Sequence, residues 1–169
     1  FGLPVVLVDD GSNDACKGVM RELAAADPQH IHLIEREANG GKGAAIKTGL
    51  ASAAQLGFSH ALQIDADGQH NSADIPRFLQ QAEVAPTTLI AGMPEYDVSV
   101  PKGRLYGRYL THVWVWINTL SLGITDSMCG FRVYPVARSN SLIAAEPMGD
   151  RMDFDTEIMV RWHWRHWPI

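Results

Sequence analysis

No apolar run in the 169 residues approaches the length of about 18 that a membrane-spanning helix needs, and no segment reads as a signal peptide. Cysteine is almost absent. Cys16 and Cys129 lie far apart and allow one disulfide at most, a usage that favours reduced thiols and a cytosolic compartment. Positive charge is also scarce: 14 Lys and Arg face 19 Asp and Glu, for a net charge of −5. That balance argues against nucleic acid as a partner, and any anionic ligand must be gripped by a local cluster of donors. Internal repeats and low-complexity tracts are missing too. What remains, 46% hydrophobic residues, is enough for one domain with a substantial core. Phe1 and the Pro168-Ile169 end have the look of cuts, so the expectation is a single domain over 1–169, truncated at both ends.

The most informative stretch runs from Phe58 to His70, an apolar segment that ends in Asp65-Ala66-Asp67-Gly68-Gln69. Its apolar part reads as a buried strand. Residues i and i+2 of an extended segment point the same way, so Asp65 and Asp67 can share one cation, with Gln69 in reach of a third position. A bound Mg²⁺ or Mn²⁺ is the common relief for two carboxylates held so close. A strand followed by an acidic surface turn fits the spacing equally well.

The rest of the chain alternates. Pro4–Val8 reads as a strand buried on both faces, ending in Asp9-Asp10-Gly11-Ser12. Ser12 or Asn13 can cap a helix that Asp27-Pro28 stops, and Ile31–Glu35 is a second strand. Asn39-Gly40-Gly41-Lys42-Gly43 opens a helix over Ala44–Gln55. Asn71 or Ser72 caps another with Pro76 in its first turn, and 87–92 is a fourth strand. This β-α-β-α-β-α-β order predicts an open, mainly parallel, Rossmann-related α/β sheet with helices on both faces, and ligands outside the carboxyl ends of its strands. Asp9, Asp10, Asp65 and Asp67 fall at those ends.

Beyond a polar loop from Met93 to Gly103, a helix is expected over about Arg104 to Leu122. Leu110, Val113, Trp114, Ile117 and Leu120 follow core spacing, while Tyr109, His112, Trp116 and Thr119 form a wetter stripe. That stripe, with the basic aromatic run Arg161–Trp167, suggests a peripheral contact with a membrane surface; burial of the tryptophans is the competing account. Thr125–Tyr134 is extended, Pro135 can start a helix, and Asp155–Trp164 is a final helix.

Single motifs leave several chemistries open. The Asn39–Gly43 loop looks like a phosphate loop, but Gly43 and Ile46 depart from the stricter templates, and a plain helix-opening turn fits as well. A strand-end Asp-x-Asp also suits a haloacid-dehalogenase-like phosphohydrolase, where Gln69 is the mismatch. Asp9-Asp10 alone would suit a phospho-acceptor signalling module.

In order, Val8-Asp9-Asp10-Gly11-Ser12, Asn39-Gly40-Gly41-Lys42-Gly43-Ala44-Ala45, Asp65-Ala66-Asp67-Gly68-Gln69-His70 and Asp126–Arg132 closely resemble family 2 glycosyltransferases with a GT-A-like fold. The nearest branch looks like the dolichyl- or polyprenyl-phosphate sugar synthases. The resemblance implies a metal-dependent inverting transferase acting on a nucleotide-diphosphate sugar, UDP- or GDP-linked. It also implies an earlier strand that helps clasp the base. Asp9, Asp10 and Ser12 would meet the donor's nucleotide, Asn39 and Lys42 its base side, and Asp65 with Ala66 the ribose. Asp65, Asp67 and Gln69 would hold Mg²⁺ or Mn²⁺, with Asp67 the principal ligand. Asp126 and Arg132 would flank sugar and acceptor. The Gly-Ser-Arg that commonly follows the fourth strand is replaced by Gly92-Met93-Pro94, so Arg104, Arg108 or Arg132 would have to grip an acidic acceptor such as polyprenyl phosphate. A hydroxyl acceptor needs a base, for which Asp126, Asp155 and Glu157 are candidates. The implied place of work is the cytoplasm, at the inner face of the membrane. A nucleotide-binding module without turnover is the non-enzymatic alternative.

Overall fold

Most element boundaries follow from local chemistry. The computed structural model describes residues 2–94 and 102–169, without the side chains of 102–106 and 108. The valine-rich run forms β1 (Val5–Asp9). Asn13 caps α1 (Asp14–Ala26) by accepting from the Cys16 N–H at 2.9 Å. β2 (Ile31–Glu35) pairs parallel with β1, and α2 (Lys42–Gln55) returns the chain to β3 (His60–Gln63). Asn71 caps a short 3₁₀ turn, and Pro76 sits in the first turn of α3 (Ile75–Val84), where its missing N–H costs nothing. Then come β4 (Ile90–Ala91), α4 (Lys102–Thr119), β5 (Arg132–Pro135), α5 (Val136–Ala145) and α6 (Phe154–Trp164).

The α/β class is as expected; the strand order holds a difference. β1 and β2 form a parallel pair, whereas β5 runs antiparallel between β3 and β4. β3 and β4 therefore point the same way without being neighbours. Every residue of β5 is buried, and its Val133 and Tyr134 are fully enclosed, so this late segment forms the centre of its sheet. β1 is less buried than its valines suggested: Val5 is exposed and Val6–Val8 are half-covered, because among the described residues β1 pairs with β2 alone. The main core gathers Leu50, Val115, Tyr134, Leu142, Phe154, Ile158 and Trp162 around α2, β5, α5 and α6.

The largest departure is the orientation of α4. The stripe expected to face the core, Leu110, Val113, Trp114, Ile117 and Leu120, is between 45% and 92% exposed. The helix instead buries Val115 and Thr119, with His112 and Trp116 half-covered, and packs against α6. The Trp116 indole N–H donates to the Ile124 carbonyl at 3.0 Å. The helix has apolar residues on both sides, and periodicity alone could not say which side would be covered. The C-terminal run also divides: Trp162 is wholly buried and donates to the Pro168 carbonyl, while Trp164 is half-exposed and donates to the Asn118 carbonyl. Arg161 and Arg165 both pair with Glu146, and Arg161 also stands 3.9 Å from Glu157, so two carboxylates answer the two guanidinium charges. Both cysteines are free thiols, Cys16 exposed and Cys129 buried. No described helix is long and apolar enough to cross a membrane.

Candidate functional site

The end of β1, the start of α2, the end of β3 and the start of α6 converge on one polar cluster. Asp10 is the clamp between the first two. Its carboxylate accepts from the Gly40 N–H at 2.9 Å, the Gly41 N–H at 2.7 Å and Arg36 Nε at 2.8 Å. Burial would raise the Asp10 carboxyl, but the Gly40 and Gly41 N–H groups and the Arg36 guanidinium outweigh it and hold the carboxyl below its ordinary range. Asn39 Nδ2 donates to the Asp10 carbonyl at 2.8 Å. Beyond Lys42 two more amides are taken: the Gly43 N–H donates to Arg151 O at 3.2 Å and the Ala44 N–H to Asp150 O at 2.9 Å. The loop that resembled a phosphate cradle thus spends these four N–H groups within the protein, and the helix-opening reading applies to them. Glycine is required at Gly41, which has φ +98° and whose Cβ would meet the Asp150 carbonyl at 2.7 Å.

Lys42 is the hub. Its ammonium lies 2.7 Å from Asp65 Oδ2 and 2.7 Å from Asp155 Oδ2. Burial would lower its pKa, but the two carboxylates raise it above the usual lysine value. Asp65 shows the converse: burial pushes it up, Lys42 pulls it down further, and the net direction is down. The other Asp65 oxygen accepts from Gln63 Nε2 at 3.1 Å, and Gln63 Oε1 accepts from the buried Tyr134 hydroxyl at 2.9 Å. Both oxygens of Asp65 are therefore positioned. Gly130 closes the cluster, since a Cβ there would collide with Asp65 Oδ2 and stand 2.8 Å from Lys42 Nζ.

The remaining candidates fall around this centre. Asp67, Ala66 and Gln69 are exposed in the turn after β3, where the Gln69 N–H donates to Asp67 Oδ1 at 3.0 Å. His70 stands 3.9 Å from Asp65 Oδ2. Asp9 is buried; the hydroxyl and N–H of Ser12, together with Lys17, hold its carboxyl below the ordinary range. Asp126 is buried, its Oδ1 accepting from the Met128 and Cys129 N–H groups, while His112 Nε2 lies 4.0 Å from Oδ2. Arg132 has no solvent exposure. Its guanidinium donates to the carbonyls of Cys129, Ser127 and Asp155, and it stands 3.8 Å from Asp155 Oδ1. It braces the Asp126–Arg132 segment against α6 with no surface open to solvent, a structural place that differs from the acceptor-gripping role first considered for it. Glu157 accepts from the Gly149 N–H at 2.9 Å, committed to the preceding loop. The side chains of Arg104 and Arg108, and residues 95–101 of the loop before α4, lie outside the described residues.

Sequence reasoning passed over four contributors. Gln63 carried a signal, standing two residues before Asp65 on the same strand face. Gly130 lay in a quoted motif without a role, Arg36 gave no local sign, and His112 reads from sequence as part of the wetter α4 stripe rather than as a neighbour of Asp126.

A divalent cation suits hard oxygen donors, and Asp67 with Gln69 offers them; Asp65, already neutralised by Lys42, is the weaker contributor. Among the described residues no three His, Cys, Asp or Glu side chains form a ready-made cage, so a bound ion would draw its other ligands from a ligand's oxygens and water.

Comparison with known proteins gives this cluster a lineage. The family profile described as Glycosyl transferase family 2 matches residues 3–138. The chain is 29% identical over 141 residues to a polyprenol monophosphomannose synthase of Mycolicibacterium smegmatis, covering 77% of this chain and 50% of that protein. It is 29% identical over 154 residues to an undecaprenyl-phosphate mannosyltransferase of Micrococcus luteus, 86% of this chain and 60% of the relative. With a dolichyl-phosphate beta-glucosyltransferase of Dictyostelium discoideum the identity is 24% over 168 residues, 94% of this chain and 50% of the relative. The chain thus spans between half and three-fifths of the length of these relatives. Four motif segments in family order, each built into the polar cluster or its rim, and a profile match over most of the sequence lead to one conclusion: the chain belongs to glycosyl transferase family 2.

Proposed function

We propose that the chain transfers a sugar from a nucleotide-diphosphate donor, UDP- or GDP-linked, to a lipid-linked acceptor of the polyprenyl-phosphate type. One observation carries this reading: Asp10 holds the Gly40 and Gly41 amides of the loop that leads into Lys42, Lys42 pairs with Asp65, and Gly130 leaves no room for a Cβ beside both, so the four motif segments meet in a single site. The relatives' names supply the acceptor class, since they act as polyprenol-, undecaprenyl- and dolichyl-phosphate enzymes. In the reaction an acceptor oxygen forms a bond to the anomeric carbon as that carbon's bond to the diphosphate breaks. The nucleoside diphosphate leaves and the configuration inverts. A phosphate oxygen is already anionic and needs no general base; a hydroxyl would need one, and Asp126, buried beside the Met128 and Cys129 amides, is the candidate.

Asp67 and Gln69, with Asp65 beside them, would hold Mg²⁺ or Mn²⁺. When bound, the ion offsets the charge that builds on the departing diphosphate. Lys42 keeps Asp65 ionised and adds fixed positive charge at the same place. Asp65, with one oxygen on Lys42 and the other on Gln63, is a poor nucleophile, which weighs against a phosphohydrolase. The work is assigned to the cytoplasmic, inner face of the membrane, where lipid phosphates are presented.

Calorimetry with UDP- and GDP-sugars in the presence and absence of Mn²⁺ tests the reading. Metal-dependent binding of one donor class is the expected result. No binding of either class would overturn it.

A further inference from the structure

The turn 65–70 leaves the end of β3 carrying Asp67 and Gln69, and both of those side chains are exposed. Gly68, at φ +71°, supplies the bend, and the Gln69 N–H donates to Asp67 Oδ1 at 3.0 Å. Neither feature fastens the turn to the rest of the protein. Ligands on a loose segment lose their freedom when a cation binds, so a site built on such a turn gains affinity when both of its ends are held beforehand. The first end is held at Asp65, by Lys42 and Gln63. The second is His70. Its side chain is only 18% exposed, and its ring centroid lies 5.2 Å from that of Phe131, with the planes tilted by 42°. Phe131 is buried and stacks in turn on Phe78 of α3, with centroids 4.2 Å apart and planes 23° apart. A column of three rings therefore runs from the turn to α3. Phe131 is itself anchored: its carbonyl accepts from the Gly92 N–H at 2.9 Å, and a Cβ at Gly92 would stand 3.1 Å from both that carbonyl and Phe78 Cζ. Two adjacent residues of the fourth motif segment thus meet the two ends of the third, Gly130 beside Asp65 and Phe131 beside His70.

We propose that His70 is a positioning residue: its ring, held against Phe131, pins the far end of the turn and so keeps Asp67 and Gln69 in place for a divalent cation. The role belongs to the ring rather than to its nitrogens. Aromatic pairs at this separation and tilt attract beyond the area they bury, whereas His70 Nε2 stands 3.9 Å from Asp65 Oδ2, outside hydrogen-bond reach. A phenyl ring at position 70 would supply the same face. The proposal rests on reading the turn as the cation site of the function proposed above; the pinning itself is independent of which donor binds.

Two measurements on the parent, His70→Ala and His70→Phe test it: hydrogen exchange of the segment 64–71 in the metal-free chain, and calorimetry with Mn²⁺ plus UDP or GDP. His70→Ala should speed exchange of that segment by about threefold or more while α1 and α5 keep parental rates. It should also weaken Mn²⁺-dependent nucleotide binding by about threefold to tenfold, the span to which the attraction of one aromatic pair converts. His70→Phe should restore both. A phenylalanine variant as impaired as His70→Ala would overturn the proposal, because the ring would then not be the cause. So would His70→Ala with parental exchange, or with faster exchange and parental Mn²⁺ dependence. A parent that binds neither nucleotide with Mn²⁺ removes the function proposed above, and exchange alone then decides whether His70 pins the turn. If His70→Ala does not fold, Phe131→Leu, which keeps bulk and removes the ring, must speed exchange of the same segment, and unchanged exchange counts against the assignment.

Discussion

Lys42 Nζ lies 2.7 Å from Asp155 Oδ2 and so ties the first turn of α2 to the first turn of α6. Asp155 is buried, and its other cation, Arg132, stands 3.8 Å from Oδ1. Removing one member of such a pair leaves a charge without its nearest partner, and Lys42→Met is expected to cost about 3 kcal/mol in urea denaturation. Adding Asp155→Asn to that variant should recover part of the loss, because the uncompensated charge goes with it. A Lys42→Met chain as stable as the parent would show that the contact contributes nothing.

Stability against pH should be level through neutrality and fall on the acid side. The folded carboxyls of Asp10 and Asp65 lie below their ordinary value of 3.8, so their contribution is complete above that pH and is lost as pH falls through the lower folded values. Lys42 lies above 10.5, so its contribution is complete below that pH and is lost only as pH rises beyond it. Asp10→Asn turns an amide toward the donors of Gly40, Gly41 and Arg36; a loss of about 1–3 kcal/mol near neutrality and a shallower acid limb are expected. Denaturant midpoints measured across the pH range check both, and an acid limb as steep as the parent's would remove Asp10 from its cause.

Gly130→Ala should damage the site more than the fold. The added Cβ collides with Asp65 Oδ2, an end of a side chain that can swing away only by leaving Lys42 and Gln63. The expected stability cost is about 1–3 kcal/mol, with donor binding reduced by more than that cost accounts for. Calorimetry paired with thermal denaturation separates the two effects; full donor affinity at reduced stability would mean that the position of Asp65 is irrelevant to binding.

Asp67→Asn removes a charge from an exposed turn while keeping its shape. Stability should stay within about 0.5 kcal/mol of the parent. Metal-dependent donor binding should weaken by about 1–3 kcal/mol, the range for losing a charged partner. Parent-like Mn²⁺ dependence in this variant would move the principal metal ligand elsewhere.

Local features were legible from sequence because their causes are local. Asn13 and Asn71 cap where short polar side chains precede helical runs, Pro76 sits in a first turn, and Ile31–Glu35 is the strand that its alternation described. The motif segments that meet in the site were legible too, as was the strand-end placement of Asp10 and Asp65.

Tertiary packing decided the rest. Nothing near Arg132–Pro135 announces that it will run antiparallel between β3 and β4, since strand order follows from how separate layers bury one another. Asp10 became a clamp and Lys42 a bridge because the β1 end and the α2 and α6 starts converge, bringing unpaired N–H groups and buried carboxylates within reach of them. The turn of α4 is the plainest case: periodicity groups Leu110 with Ile117 and Val115 with Thr119, but only contact with α6 selects which group is covered. Sequence determines which residues share a face; the free energy of burying that face belongs to the pair of surfaces that meet.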